Sequence, residues 1–155
     1  MSNVFMSKVI ELSLENARDR KGGPFAALVV RDGHIVGMGT NRVASANDPT
    51  AHAEIIAVRE ACALLKTFQL TGCDVYSNCE PCPMCMGALY WARPSRIFYA
   101  ATRQDAADIG FNDALIYDQL QLPVSDRSLP MSQMMRQEAL EAFRYWKQKP
   151  DKITY

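Results

Sequence analysis

Pro81-Cys82-Pro83-Met84-Cys85 stands where a short strand, Asp74 to Ser77, gives way to a helix through Met84, Gly87, Ala88 and Trp91. The two prolines punctuate the loop that opens that helix. Cys82 and Cys85 are three apart, so one helical turn places them on the same side. Working outward, Arg96 to Ala100, with Ile97, Phe98 and Tyr99, reads as the next strand. Upstream, Asp48-Pro49 looks like a cap followed by proline at the first helical position, and Ile55, Ile56, Val58, Ala61, Cys62 and Leu65 continue a helix from there. Phe25 to Arg31 and His34 to Asn41 are two runs joined by Asp32-Gly33, the signature of a hairpin.

The remaining segments fill in the frame. Ser2 to Arg18 carries Phe5, Val9 and Leu12, with Met6, Ile10 and Leu14, at helical spacing, and Gly22-Gly23 ends it. Thr102 to Leu122 is loop-rich with short helical pieces, and Glu138 to Lys149 is a last helix. Helices alternating with strands behind an opening hairpin predict an α/β layered domain with a mixed sheet. Strand order does not follow from the sequence.

His52-Ala53-Glu54 and Cys82-x-x-Cys85 together supply one imidazole, two thiols and a carboxylate. Zinc accepts an N,S,S ligand set and is usually tetrahedral, so His52, Cys82 and Cys85 leave one position for water. A helix N-terminus favours the thiolate form of both cysteines. Glu54 is then the natural general base and acid. Two alternatives stay open. Cys79 lies three residues before Cys82, so a closed, purely structural Cys₃His site has acceptable spacing. Residues two apart in a regular helix also point about 200° apart, so His52 and Glu54 share a site only where the first turn is irregular. Cys62 and Cys73 read as core residues, and His34, beside the Asp-Gly turn, as an exposed strand residue.

The bulk numbers narrow the partners. The chain has 155 residues, and its 17 Lys plus Arg balance 17 Asp plus Glu. That length suits one domain. The neutral balance argues against a nucleic-acid binder, which usually carries a basic surplus. No apolar run approaches the roughly 18 residues of a membrane helix, and Met1 to Leu14 has no signal-peptide pattern. The expected location is the cytoplasm. Five cysteines, unevenly spaced, do not suggest a disulfide framework.

Thr50-Ala51-His52-Ala53-Glu54 and Cys79-Glu80-Pro81-Cys82-Pro83-Met84-Cys85 resemble the signature of the cytidine deaminase superfamily, in which the Glu shuttles protons and is not a ligand. Gly22-Gly23-Pro24-Phe25, Asn41, Asn47-Asp48-Pro49, Trp91-Ala92-Arg93-Pro94 and Gly110-Phe111-Asn112-Asp113 resemble, more narrowly, the short bacterial guanine deaminases. The resemblance implies a three-layer α/β/α fold over residues 1–155 and one Zn²⁺ per subunit, held by His52, Cys82 and Cys85. By the same resemblance Glu54 is catalytic, Asn41 and Asp113 hydrogen-bond the base, with Asp113 also assisting proton transfer, and Phe25 packs against the ring. It further implies a homodimer whose tail, about 149–155, crosses to the partner, where Tyr155 closes the pocket. Trp91 is a further pocket-wall candidate.

Each implied role has a plainer alternative. Phe25 and Trp91 suit core aromatics, Asn41 a turn cap, Asp113 a helix cap and Tyr155 a frayed end. The rival activities are tRNA adenosine deamination, which needs a basic surface, and deamination of cytosine, other aminopurines or aminotriazines. The rival outside catalysis is a structural zinc scaffold.

Overall fold

The computed structural model describes residues 3–155, and the chain divides into two units at Asp113/Ala114. In the first unit, helix α1 (Val4–Arg18) precedes the hairpin β1 (Ala26–Arg31) and β2 (His34–Thr40). A one-turn helix α2 (Val43–Ala46) leads to α3 (Ala53–Leu65), β3 (Cys73–Cys79), α4 (Pro83–Ala92), β4 (Arg96–Ala101) and α5 (Arg103–Asp108). The sheet order is β2-β1-β3-β4. β1 pairs antiparallel with both β2 and β3, and β3 pairs parallel with β4. This is the expected mixed sheet. Its hairpin turns on Asp32 and Gly33, both at positive φ, as a tight two-residue connection requires.

The alternation of side chains along β1 divides the interior into two faces. Ala26, Leu28 and Val30 pack with Val9 of α1 and Tyr76 of β3. Ala27 and Val29 face the other way, into a cluster with Ala53, Ala57 and Ala61 of α3 and Leu89 and Ala92 of α4. The result is α1, sheet, then α3 and α4: the three-layer α/β/α fold. Small residues let α3 lie very close to β2. A Cβ at Gly37 would overlap the carbonyl oxygen of Ala57, and one at Gly39 would overlap that of Ala53. Helices α3 and α4 both end on a residue in the left-handed region, Lys66 and Arg93.

Two local expectations need correction. The helix read from Asp48-Pro49 begins at Ala53. Asp48 instead closes a turn, its Oδ1 accepting from the Thr50 N–H and hydroxyl at 2.8 and 2.7 Å. This is the local side-chain bonding by which Asp competes with helix. The first helix is present, but its inward stripe is Val9, Ser13 and Asn16, while Ile10 and Leu14 are each 48% exposed. Polar side chains with bonds to make took the positions that apolar periodicity alone assigns elsewhere. Ser2, the expected start of that helix, lies outside the described residues.

The second unit contains α6 (Ala114–Gln121) and α7 (Arg136–Gln148), with a short 3₁₀ turn at Val124–Asp126. None of residues 114–155 is buried, and Leu115, Leu120, Phe143, Tyr145 and Ile153 are all exposed. Among the described residues no helix is long and apolar enough to cross a membrane.

Candidate active site

Two helices begin at the same place. His52 is the N-cap of α3 and Cys82 the N-cap of α4, both in extended backbone, with Pro83 opening α4. Since His52 stands outside the helix, it escapes the angular conflict with Glu54, which lies in the first turn. Cys85 follows in the first turn of α4. The His52 Nδ1 atom lies 3.5 Å from Cys82 Sγ and 3.6 Å from Cys85 Sγ. In a tetrahedral zinc site with standard bond lengths, imidazole nitrogen and thiolate sulfur are about 3.6 Å apart. Among the described residues these three form the group of candidate ligand atoms within 4.8 Å of one another. The donor set and its spacing therefore fit one zinc ion.

Cys79 is not part of this group. Its thiol is directed to the Thr102 carbonyl at 3.6 Å, and burial pushes its pKa to about 11. The closed four-ligand arrangement is thus not the one formed. Cys82, by contrast, is drawn down to about 4 by the hydrogen bond from the Cys85 thiol and by His52. Cys85 is pushed up because its proton is held by that neighbouring sulfur and because it is buried. The His52 imidazole is raised, chiefly by its hydrogen bond with Cys82. A sulfur anion facing two helix N-termini is favourable electrostatically and ready for a cation.

Glu54 is 7% exposed, and burial raises its pKa. Cys85 Sγ lies 3.5 Å from its Oε2, and the Ser77 hydroxyl lies 3.3 Å from its Oε1. Asp113 is also raised, by burial and then by the negative charge of Cys82. Asn41 is buried, with its Oδ1 accepting from the N–H of Gly23 at 3.2 Å and of Val43 at 3.3 Å. Phe25 meets Phe111 edge to face at 4.9 Å. Trp91 is 63% exposed, about 9 Å along the axis of α4 from Cys85. Tyr155 is exposed in the second unit.

Two residues escaped the sequence reading. Ser77 reads from the sequence only as the end of a strand, which the structure extends to Cys79. Asn16 falls at helical spacing from Val9 on a buried stripe. A polar residue on an apolar face, needing partners, was the available signal.

An open metal-binding triad with a buried carboxylate beside it, set between a sheet and two helix N-termini, defines a zinc-dependent aminohydrolase. The chain belongs to the cytidine and deoxycytidylate deaminase zinc-binding family, whose model matches residues 1–101. It is 45% identical over 151 residues to the guanine deaminase of Bacillus subtilis strain 168, covering 97% of each chain. The X-ray structure of guanine deaminase from Bacillus subtilis superposes with a TM-score of 0.96 at 44% identity, covering 100% of this chain and 99% of that one. A tRNA-specific adenosine deaminase of Aquifex aeolicus is 37% identical over 101 residues, covering 65% of this chain and 67% of that protein.

Proposed function

We propose that this enzyme hydrolyses guanine to xanthine and ammonia. The observation that carries this reading is the reach of the similarity. The likeness to a guanine deaminase runs through 97% of the chain, whereas that to a tRNA adenosine deaminase covers 65%. The zero net charge also favours a small substrate over a polyanion.

His52, Cys82 and Cys85 hold the zinc ion. When bound, that ion acts as a Lewis acid that makes water a nucleophile at neutral pH. With zinc bound, Cys85 would be held as a thiolate, which would leave Glu54 Oε2 available for a proton. Glu54 then carries one proton of the attacking water to a ring nitrogen, where it stays, and the second, from the hydroxyl left on the carbon, to the departing amine. The C–N bond breaks, the hydroxyl becomes the carbonyl of xanthine, and ammonia leaves. Burial supports this role, because it raises the Glu54 pKa and so makes the carboxyl a better proton acceptor than an exposed one. Asn41 uses both acceptor positions of its Oδ1 internally, so its Nδ2 serves the base as a donor. Asp113, when ionised, only accepts hydrogen bonds and suits the N–H edge of guanine. Phe25 packs against the ring.

The active form in this reading is a homodimer spanning residues 1–155 as one functional domain, with the tail at about 149–155 exchanged and Tyr155 and Trp91 completing a pocket. The support is the second unit itself, whose large apolar side chains have no interior of their own. Thiol ligands suit a reducing compartment, hence the cytoplasm. The test is ammonia release by zinc-loaded protein from guanine, adenine, cytosine and a tRNA anticodon stem. Turnover of guanine alone, or far above the rest, is expected; preference for the RNA stem would overturn the reading.

A further inference from the structure

Asn16 lies near the end of α1 and is 3% exposed. Its Nδ2 donates twice, to the Gly23 carbonyl at 2.9 Å and to the Asn41 carbonyl at 3.0 Å. Those carbonyls belong to the two backbone segments that carry Phe25 and Asn41. Gly23 O also accepts from the Phe25 N–H at 2.8 Å, and the Asn41 N–H donates to Phe25 O at 3.0 Å. The Gly23 N–H returns to Asn41 Oδ1. Asn16, Gly23, Phe25 and Asn41 thus form a closed circuit in which only Asn16 comes from outside the two segments. Gly22 fits beside it because any Cβ there would overlap the Asn41 carbonyl.

The other end of the same amide is left unsatisfied. Asn16 Oδ1 is a buried acceptor with no partner among the described residues. Burying such an atom without a partner carries an uncompensated desolvation cost. An aliphatic side chain would avoid that cost but would lose both donors to the carbonyls. The position is therefore poorly explained by stability and well explained by what the two donors hold in place.

We propose that Asn16 is a positioning residue for base recognition. Through the carbonyls of Gly23 and Asn41 it sets the separation of the Phe25 ring from the Asn41 amide. It also keeps Asn41 Oδ1 seated on backbone N–H groups, which leaves Nδ2 for a ligand acceptor. The inference rests on the reading of Phe25 and Asn41 as base contacts.

The test measures guanine binding by equilibrium dialysis with labelled guanine, on zinc-loaded protein whose turnover is blocked by Glu54→Gln. In that background Asn16→Ala, Asn16→Ser, Asn41→Ala and the Asn16→Ala/Asn41→Ala pair are compared with the parent. Zinc content and Tm are recorded for each. Asn16→Ala is expected to weaken guanine about tenfold, the equivalent of one good hydrogen bond, with zinc retained. The double variant should bind little worse than Asn41→Ala alone, because both changes act through one amide. Asn16→Ser, which keeps a single donor, should fall between and covers the case in which the alanine variant folds poorly. With Glu54 intact, Asn16 variants should raise KM more than they lower kcat. A lowered Tm with unchanged guanine affinity well below it would make Asn16 merely structural and overturn the inference. If Asn41→Ala binds guanine like the parent, the assignment of Asn41 to the base fails first, and the inference with it.

Discussion

His52 and Cys82 cap two different helices, and the imidazole of one meets the sulfur of the other at 3.5 Å. Neither side chain belongs to the regular part of its helix. His52 and Cys82 can therefore be replaced without unwinding α3 or α4, and serine at Cys85, in the first turn of α4, keeps nearly the same size. His52→Ala, Cys82→Ser and Cys85→Ser are expected to purify without zinc, while far-UV circular dichroism stays like that of the parent. Cys79→Ser should retain the metal, because Cys79 is directed to Thr102. Metal analysis after gel filtration checks both; loss of zinc from the Cys79 variant would make it a fourth ligand.

Glu54 touches the triad through Cys85 but lies outside the ligand set. Glu54→Gln should keep zinc and lower kcat by about 10²–10⁴-fold, the usual contribution of a general acid–base group. Steady-state ammonia release with parallel metal analysis is the measurement. Undiminished turnover would remove Glu54 from the proton path.

Burial of Glu54 also gives the metal-free protein a pH signature. Its pKa is raised above the ordinary value of 4.5, so the folded state binds the proton more tightly than the unfolded state. Below pH 4.5 the carboxyl is neutral in both states and costs nothing. As pH rises through the folded pKa, stability is lost. Metal-free Glu54→Gln should therefore melt higher than the metal-free parent at pH 7, with the gap closing towards pH 4. A gap that widens on acidification has the wrong sign for this account.

The near-contact of β2 and α3 predicts a graded effect. Gly39→Ala and Gly37→Ala each force a methyl against a backbone carbonyl and should destabilise the fold by about 1–3 kcal/mol. Only Gly39 faces Ala53, the residue between His52 and Glu54. Gly39→Ala should therefore also weaken zinc in competition with a chelator, while Gly37→Ala affects mainly Tm. Equal zinc affinity in the two variants would uncouple the strand from the site.

The chemistry was legible in the sequence because metal ligands are few in kind and their spacing is diagnostic. His52, Cys82 and Cys85 needed no knowledge of strand order to be found together. The mixed sheet and its hairpin were also legible, since Asp32-Gly33 is a turn with a physical cause. The start of α3 is not legible because Asp48-Pro49 satisfies a capping pattern and a tight-turn pattern equally well; in the structure the N–H and hydroxyl of Thr50 both close the turn on Asp48. The role of Asn16 was out of reach because its partners, Gly23 and Asn41, are brought to it by the sheet. The contact of Ser77 with Glu54 was hidden for the same reason.

The left-handed ends of α3 and α4 have a practical side. Lys66 and Arg93 occupy a backbone region that usually costs a residue with a side chain about 1–2 kcal/mol. Both stand at the end of a helix opposite its ligand. Glycine at either place would relieve that strain, less the entropy it adds to the unfolded chain. Thermal hardening of the enzyme can thus begin at these two termini, with the catalytic end of each helix left untouched.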